Sequence, residues 1–216
     1  MNRNALRTLA LALAVPALLA GAAPAAPQDA PVQPAAAGTV YNVEIIVFRA
    51  LTALGGAEHW SAEAGERSIA GDESASGAAQ VGRFLAPLPS SAWQLTELEN
   101  RLRSSGTYAP VGHAAWSQTA SSWGTRAGFA VQRLGINVPG LTGTVFLEHG
   151  QFLHLGLSLA YAMPSPPEGL GASPDTPFTL NQSRRVRFYE RSYFDHPAFG
   201  VIALVTPAQG ARAPGR

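Results

Sequence analysis

Four of the chain's arginines fall within Asn181–Tyr193, in the stretch Ser183-Arg-Arg-Val-Arg-Phe-Tyr-Glu-Arg-Ser-Tyr193. Side chains alternate between the two faces of a strand. If this stretch is one strand, Arg185, Arg187, Tyr189, Arg191 and Tyr193 share a face, and Val186 and Phe188 point the other way. Guanidinium groups pair bidentately with carboxylates, and a phenol ring offers a flat surface to a sugar or a peptide. The stripe is therefore a candidate surface for an anionic or sugar-like polymer; the alternative is an ordinary solvated strand face, charged against aggregation. Phe152 and His154 face away from the core side of their own strand and join Arg185, Arg187, Tyr189 and Arg191 as candidate ligand-binding residues. Trp123, in a loop, is either a further ring on which a sugar can stack or simply a partly exposed side chain.

Catalytic chemistry has weaker support. Asp195-His196-Pro197 resembles an acid–base pair, but Asp and Pro are ordinary turn residues. No serine or cysteine lies in a recognisable nucleophile elbow. His113, His149, His154 and His196 lack the H-x-x-x-H or H-x-x-E-H spacing of a zinc site. Glu44 sits mid-strand, where a buried carboxylate must find a partner; an arginine is the expected one. The reading is of a protein with no catalytic residues, no metal and no cofactor. The alternative is a hydrolase using Glu44, Asp195 or the histidines.

These residues need elements to position them. Tyr41–Arg49 reads as a strand with Val43, Ile45 and Val47 on one face and Ile46 and Phe48 on the other, so it is central. Ser91–Ser105 reads as a helix opened by a Ser91/Gln94 capping box and ended by Gly106, with Leu95, Leu98 and Leu102 as its buried stripe. Glu97 and Glu99 each stand four residues before an arginine. Tyr108–Gln118 is a strand, and Phe129–Leu134 a short edge strand. Leu141–Glu148 and Phe152–Tyr161 form a hairpin in which Leu153, Leu155, Leu157 and Leu159 face the core. Leu180–Tyr193 and Phe199–Thr206 form a last pair turned by Asp195-His196-Pro197. The predicted class is α+β: an antiparallel or mixed β-sheet with a helix packed on one face and Pro/Gly-rich loops.

Composition bounds the setting. The chain has no cysteine and no lysine. Arg3, Arg7 and the apolar run Leu9–Leu19 before Ala23-Pro24-Ala25 read as a secretory signal over residues 1–25. Of 15 basic residues, removal of Arg3 and Arg7 leaves 13 against 14 acidic ones, a net charge of −1 that gives no general steering to nucleic acid. Residues 26–39 read as a disordered tether, 53–80 as a mobile insertion and 208–216 as a disordered tail around a single domain over 40–207. No later stretch is apolar for long enough to span a membrane.

Tyr41-Asn-Val-Glu-Ile-Ile-Val-Phe-Arg49, Tyr108-Ala-Pro-Val-Gly-His-Ala-Ala-Trp-Ser-Gln118, Phe152-Leu-His-Leu155 and Asp195-His-Pro-Ala-Phe-Gly200, in this order, resemble the CsiV family of exported bacterial peptidoglycan-binding proteins. The resemblance implies a non-enzymatic periplasmic protein that binds peptidoglycan and supports cell-wall biogenesis. A penicillin-binding protein synthase or its activator is the implied protein partner. The export signal yields the first prediction. Mass spectrometry of the periplasmic protein should show the loss of about 25 N-terminal residues, and an intact N-terminus on cytosolic protein would refute it.

Overall fold

The computed structural model describes residues 38–52 and 85–208. The expected signal, nearly all of the expected tether and tail, and the insertion at 53–80 lie outside the described residues.

Among the described residues ten strands form two sheets. The first has the order β2 (Leu85–Pro87), β3 (Tyr108–Thr119), β1 (Val40–Ala50), β10 (Phe199–Pro207) and β9 (Arg191–Asp195). The second runs β4 (Ser121–Ser122), β6 (Leu141–His149), β7 (Leu153–Ala162) and β8 (Pro177–Arg185), with β5 (Gly128–Ala130) also paired to β6. Among the described strands the pairings are antiparallel except the short β4–β6 contact.

β1 and β10 are apolar on both faces, so both faces of the first sheet need cover. On one side Val43, Ile45, Val47, Val201, Ala203 and Val205 pack against Leu153, Leu155, Leu157 and Leu159 of the second sheet. On the other, Ile46, Phe48, Ile202 and Leu204 pack against Leu95 and Leu102 at the helix α1 (Thr96–Ser104). The result has three layers: helix, sheet, sheet. The expected helix-on-sheet packing is present, and the single sheet is corrected to two. The leucine face of β7 required a second apolar layer, and that layer is the first sheet itself.

Two further corrections concern local structure. Residues 129–134 form the end of a three-residue strand and then a 3₁₀ turn over Val131–Leu134. The stretch Leu180–Tyr193 is two strands in two sheets. β8 runs alongside β7 until β7 ends: Val186 N–H donates to the carbonyl of Leu153, the first residue of β7. Beyond that point the hairpin turn offers no ladder. The chain crosses over, Phe188 stacks on Tyr41, and Tyr189, at φ 64°, donates its N–H to Val205 in the other sheet.

The helix also starts differently. Its N-cap is Leu95, with no side-chain cap of its own, and the Ser91/Gln94 capping box does not form. Ser90–Ala92 is a 3₁₀ turn instead. The cap comes from across the structure: the Glu44 carboxylate accepts from Gln94 N–H at 2.7 Å and Leu95 N–H at 2.8 Å. A carboxylate suits this position because amides exposed at a helix N-terminus carry partial positive charge. The same carboxylate meets His113 Nε2 at 2.8 Å, and His113 Nδ1 meets Glu99 of the helix at 2.7 Å. Glu99 in turn holds Arg103 at 2.5 Å, and Glu97 holds Arg101 at 3.9 Å. The arginine expected as the partner of Glu44 is thus replaced by two amides and a histidine.

Burial disfavours the charged form of His113, but its hydrogen bonds to Glu44 and Glu99 and their charges outweigh that, so its pKa is raised above 6.5.

Two predictions follow from this network. Glu44→Ala leaves two amides and the Nε2 of His113 without their partner at a buried site, and should cost about 3–5 kcal/mol of stability, read as a lower urea midpoint. An unchanged midpoint would show that the cap is dispensable. The second concerns pH. A raised folded-state pKa means the folded chain holds the His113 proton more tightly than the unfolded one. That stabilisation is complete below the unfolded value of about 6.5 and is lost as pH rises through the folded value. The stability difference between wild type and His113→Gln should therefore shrink as pH rises above about 6.5. A pH-independent difference would contradict the assignment.

Candidate functional site

Three of the six candidate binding residues meet at one end of the second sheet. In the β7–β8 register, His154 lies opposite Arg185, and directly opposed residues share a face. Leu153 and Leu155 point into the core, so His154 and Arg185 occupy the outer face. The Arg185 guanidinium carbon sits 3.6 Å from the centre of the Phe152 ring. This close cation–π stack covers one face of the guanidinium and leaves its edge N–H groups for an anion. Arg185 makes no ion pair with any described residue.

Trp123 completes the cluster. Its ring is 4.3 Å from that of His154, and it is 57% exposed. Its position is built locally. β4 runs beside the end of β6, and Trp123 N–H donates to His149 carbonyl at 3.2 Å. Gly150 at the hairpin turn lies against the Trp123 side chain; a Cβ there would come within 3.1 Å of it. The buried carboxylate of Glu148 accepts from Arg126 N–H, which fixes the turn after Trp123. Sequence reasoning placed Trp123 in a loop but gave no link to His154. That link needs the parallel β4–β6 contact, which two serines do not announce.

The remaining candidates lie elsewhere, and the single arginine stripe is corrected. Arg187 and Tyr189 belong to the crossover between the sheets, where Arg187 approaches Glu190 at 3.7 Å and Tyr189 is exposed. Arg191 begins β9, opposite Leu204, whose side chain faces the helix layer. Arg185 and Arg191 therefore stand on outer faces of different sheets, and a strand-like alternation cannot carry from one to the other.

The residues that suggested catalysis have structural partners. Glu44 and His113 anchor the helix. Glu44 and Glu99 lie at opposite nitrogens of the His113 ring, so the three donors do not converge on a point. Among the described residues no group of three or more His, Asp or Glu side chains is placed to hold a metal. Asp195 lies 3.7 Å from Arg184, and the turn after it is closed by His196 N–H donating to Phe199 carbonyl. Burial lowers the pKa of His196, which keeps its Nδ1 free to accept from Ala198 N–H at 3.1 Å. Among the described residues no helix is long and apolar enough to cross a membrane.

Among curated proteins and solved structures, none matches the chain significantly. A family model described as "Peptidoglycan-binding protein, CsiV" matches residues 9–208. That span holds both sheets, the helix and the Arg185 cluster, and the chain belongs to the CsiV family of peptidoglycan-binding proteins.

Proposed function

We propose that this is an exported, periplasmic, non-enzymatic protein whose outer-face cluster of Arg185, Phe152, His154 and Trp123 engages peptidoglycan. In this reading the protein supports cell-wall biogenesis as an adaptor for a peptidoglycan synthase. The observation that carries the proposal is Arg185, stacked on Phe152 and unpaired by any described acid, on the face that also bears an exposed tryptophan. Peptidoglycan offers carboxylates on its stem peptides beside the apolar faces of its sugar rings, and this cluster presents a partner for each. The non-enzymatic reading rests on the structural engagements of Glu44, His113, Asp195 and His196 in caps, ion pairs and a turn.

An exposed cation contributes little alone, about 0–1 kcal/mol per pair, so retention should depend on the ring and the guanidinium together and weaken with salt. Arg185→Gln combined with Trp123→Ala should reduce co-sedimentation with purified sacculi several-fold while leaving the melting temperature near wild type. Arg187→Gln combined with Arg191→Gln should retain most of it. The reverse pattern would move the site to the crossover. Wild-type protein that releases soluble fragments from sacculi would replace the adaptor reading with a hydrolase.

A further inference from the structure

A concavity lies where the free edges of the two sheets face each other. Its volume is about 640 Å³. One wall is a cluster of three rings set at angles to one another. Phe48 holds Tyr108 edge-on at 5.2 Å and Tyr193 tilted at 5.8 Å. Phe48 is itself seated on Gly200, where a Cβ would come within 2.5 Å of its ring. Phe48 is therefore buried and fixed from beneath, whereas Tyr193 is 44% exposed and presents its ring to the cleft.

The other wall is four consecutive residues of β8, Thr179 to Gln182. Consecutive residues line a cleft together only when the strand presents its edge, and β8 is the last strand of its sheet. Polar groups ring the space. Asn181 Oδ1 accepts from Ser158, which leaves its amide N–H groups without a described acceptor. The hydroxyls of Tyr108, Tyr193 and Thr179 have no hydrogen-bond partner among the described residues. The one carboxylate of the lining, Asp195, stands 3.7 Å from Arg184, so the cleft offers no unpaired anion for a cationic ligand.

An exposed tyrosine ring, braced by Phe48 and faced by amide and hydroxyl groups, with no net call for charge, suits an uncharged pyranose chain. The apolar face of the sugar lies on the Tyr193 ring, and its hydroxyl and acetamido groups meet the polar edge. We infer that this cleft is a glycan subsite that takes the N-acetylated amino-sugar backbone, separate from the Arg185 cluster that takes anionic groups. The inference rests on the peptidoglycan-binding reading and names the portion of the polymer held here.

The test uses the exported protein and tetra-N-acetylchitotetraose, a β-1,4-linked N-acetylglucosamine tetramer with neither lactyl groups nor peptide. Titration calorimetry should show saturable binding to wild type. Tyr193→Ala and, independently, Asn181→Ala should weaken it at least fivefold. Both residues are exposed, and circular dichroism should show an unchanged fold. Arg185→Gln should leave tetramer binding within twofold of wild type. Absence of binding to wild type, or equal binding by both cleft variants, overturns the subsite. So does displacement of the tetramer by a free alanyl-glutamyl-diaminopimelate stem peptide, which would assign the cleft to peptide. Sacculus co-sedimentation separates the two readings. If sacculi are retained while the tetramer is not, the glycan subsite alone is wrong; if neither is retained, the peptidoglycan-binding reading falls with it.

Discussion

A carboxylate in the middle of a central strand sets the arrangement of this fold. Glu44 is 5% exposed on β1, and a charge at that depth is tolerated only when its oxygens are fully engaged. Two backbone amides and an imidazole meet that demand. The amides belong to the residues that open the helix, so the position of Glu44 along β1 determines where the helix begins. The imidazole belongs to β3 and reaches back to the helix through Glu99. One charge thus registers three elements. The helix that follows has nine residues and covers Ile46, Ile202 and Leu204. It contributes nothing to the cleft around Phe48. Phe48 nonetheless belongs both to the core under the helix and to the wall of that cleft.

The second organising constraint is the exhaustion of β7. An edge strand can follow its neighbour only while that neighbour continues, and β7 begins at Leu153. The arginine-rich segment therefore could not remain one strand. Its apolar residues, Val186 and Phe188, carry the chain across the core between the sheets. Its polar residues are divided: Arg184 and Arg185 stay with the second sheet, and Arg191 and Tyr193 go to the first. This division makes two chemically distinct surfaces from one basic stretch. One has a cation stacked on a ring beside tryptophan. The other has phenols and an amide with little free charge.

Much of this was legible in one dimension because it depends on local periodicity. The two-faced apolar pattern of Val43–Phe48 specifies a central strand, and the alternating leucines of Leu153–Leu159 specify a one-sided strand and hence a covered face. The helix stripe of Leu95, Leu98 and Leu102 and the acid–arginine spacing were readable for the same reason. What could not be read depends on residues far apart in sequence. The Glu44 carboxylate competes with the local Ser91/Gln94 box for the helix amides, and it prevails because it is buried and charged, so leaving it unpaired would cost more. The pairing of Phe152 with Arg185 needed the β7–β8 register, and Trp123 needed a two-residue parallel contact. The cleft draws on β1, β3, β8 and β9, and no spacing rule connects such residues.

β8 is common to both surfaces, and this relates them physically. Asn181 borders the cleft and Arg185 lies on the outer face, four residues farther along the same strand, so they are separated by roughly 13 Å of extended backbone. Residues of one strand in a paired sheet keep that separation, because the ladder to β7 fixes both. A ligand that engages both surfaces must therefore present an uncharged sugar portion and an anionic portion at about that spacing. A glycan carrying carboxylate-bearing peptides meets this condition; a bare polysaccharide or a free peptide satisfies only one surface. Each contact is individually weak, so holding two of them on one rigid strand raises the effective concentration of the second once the first is made. Discrimination then comes from geometry rather than from the strength of any single arginine or ring.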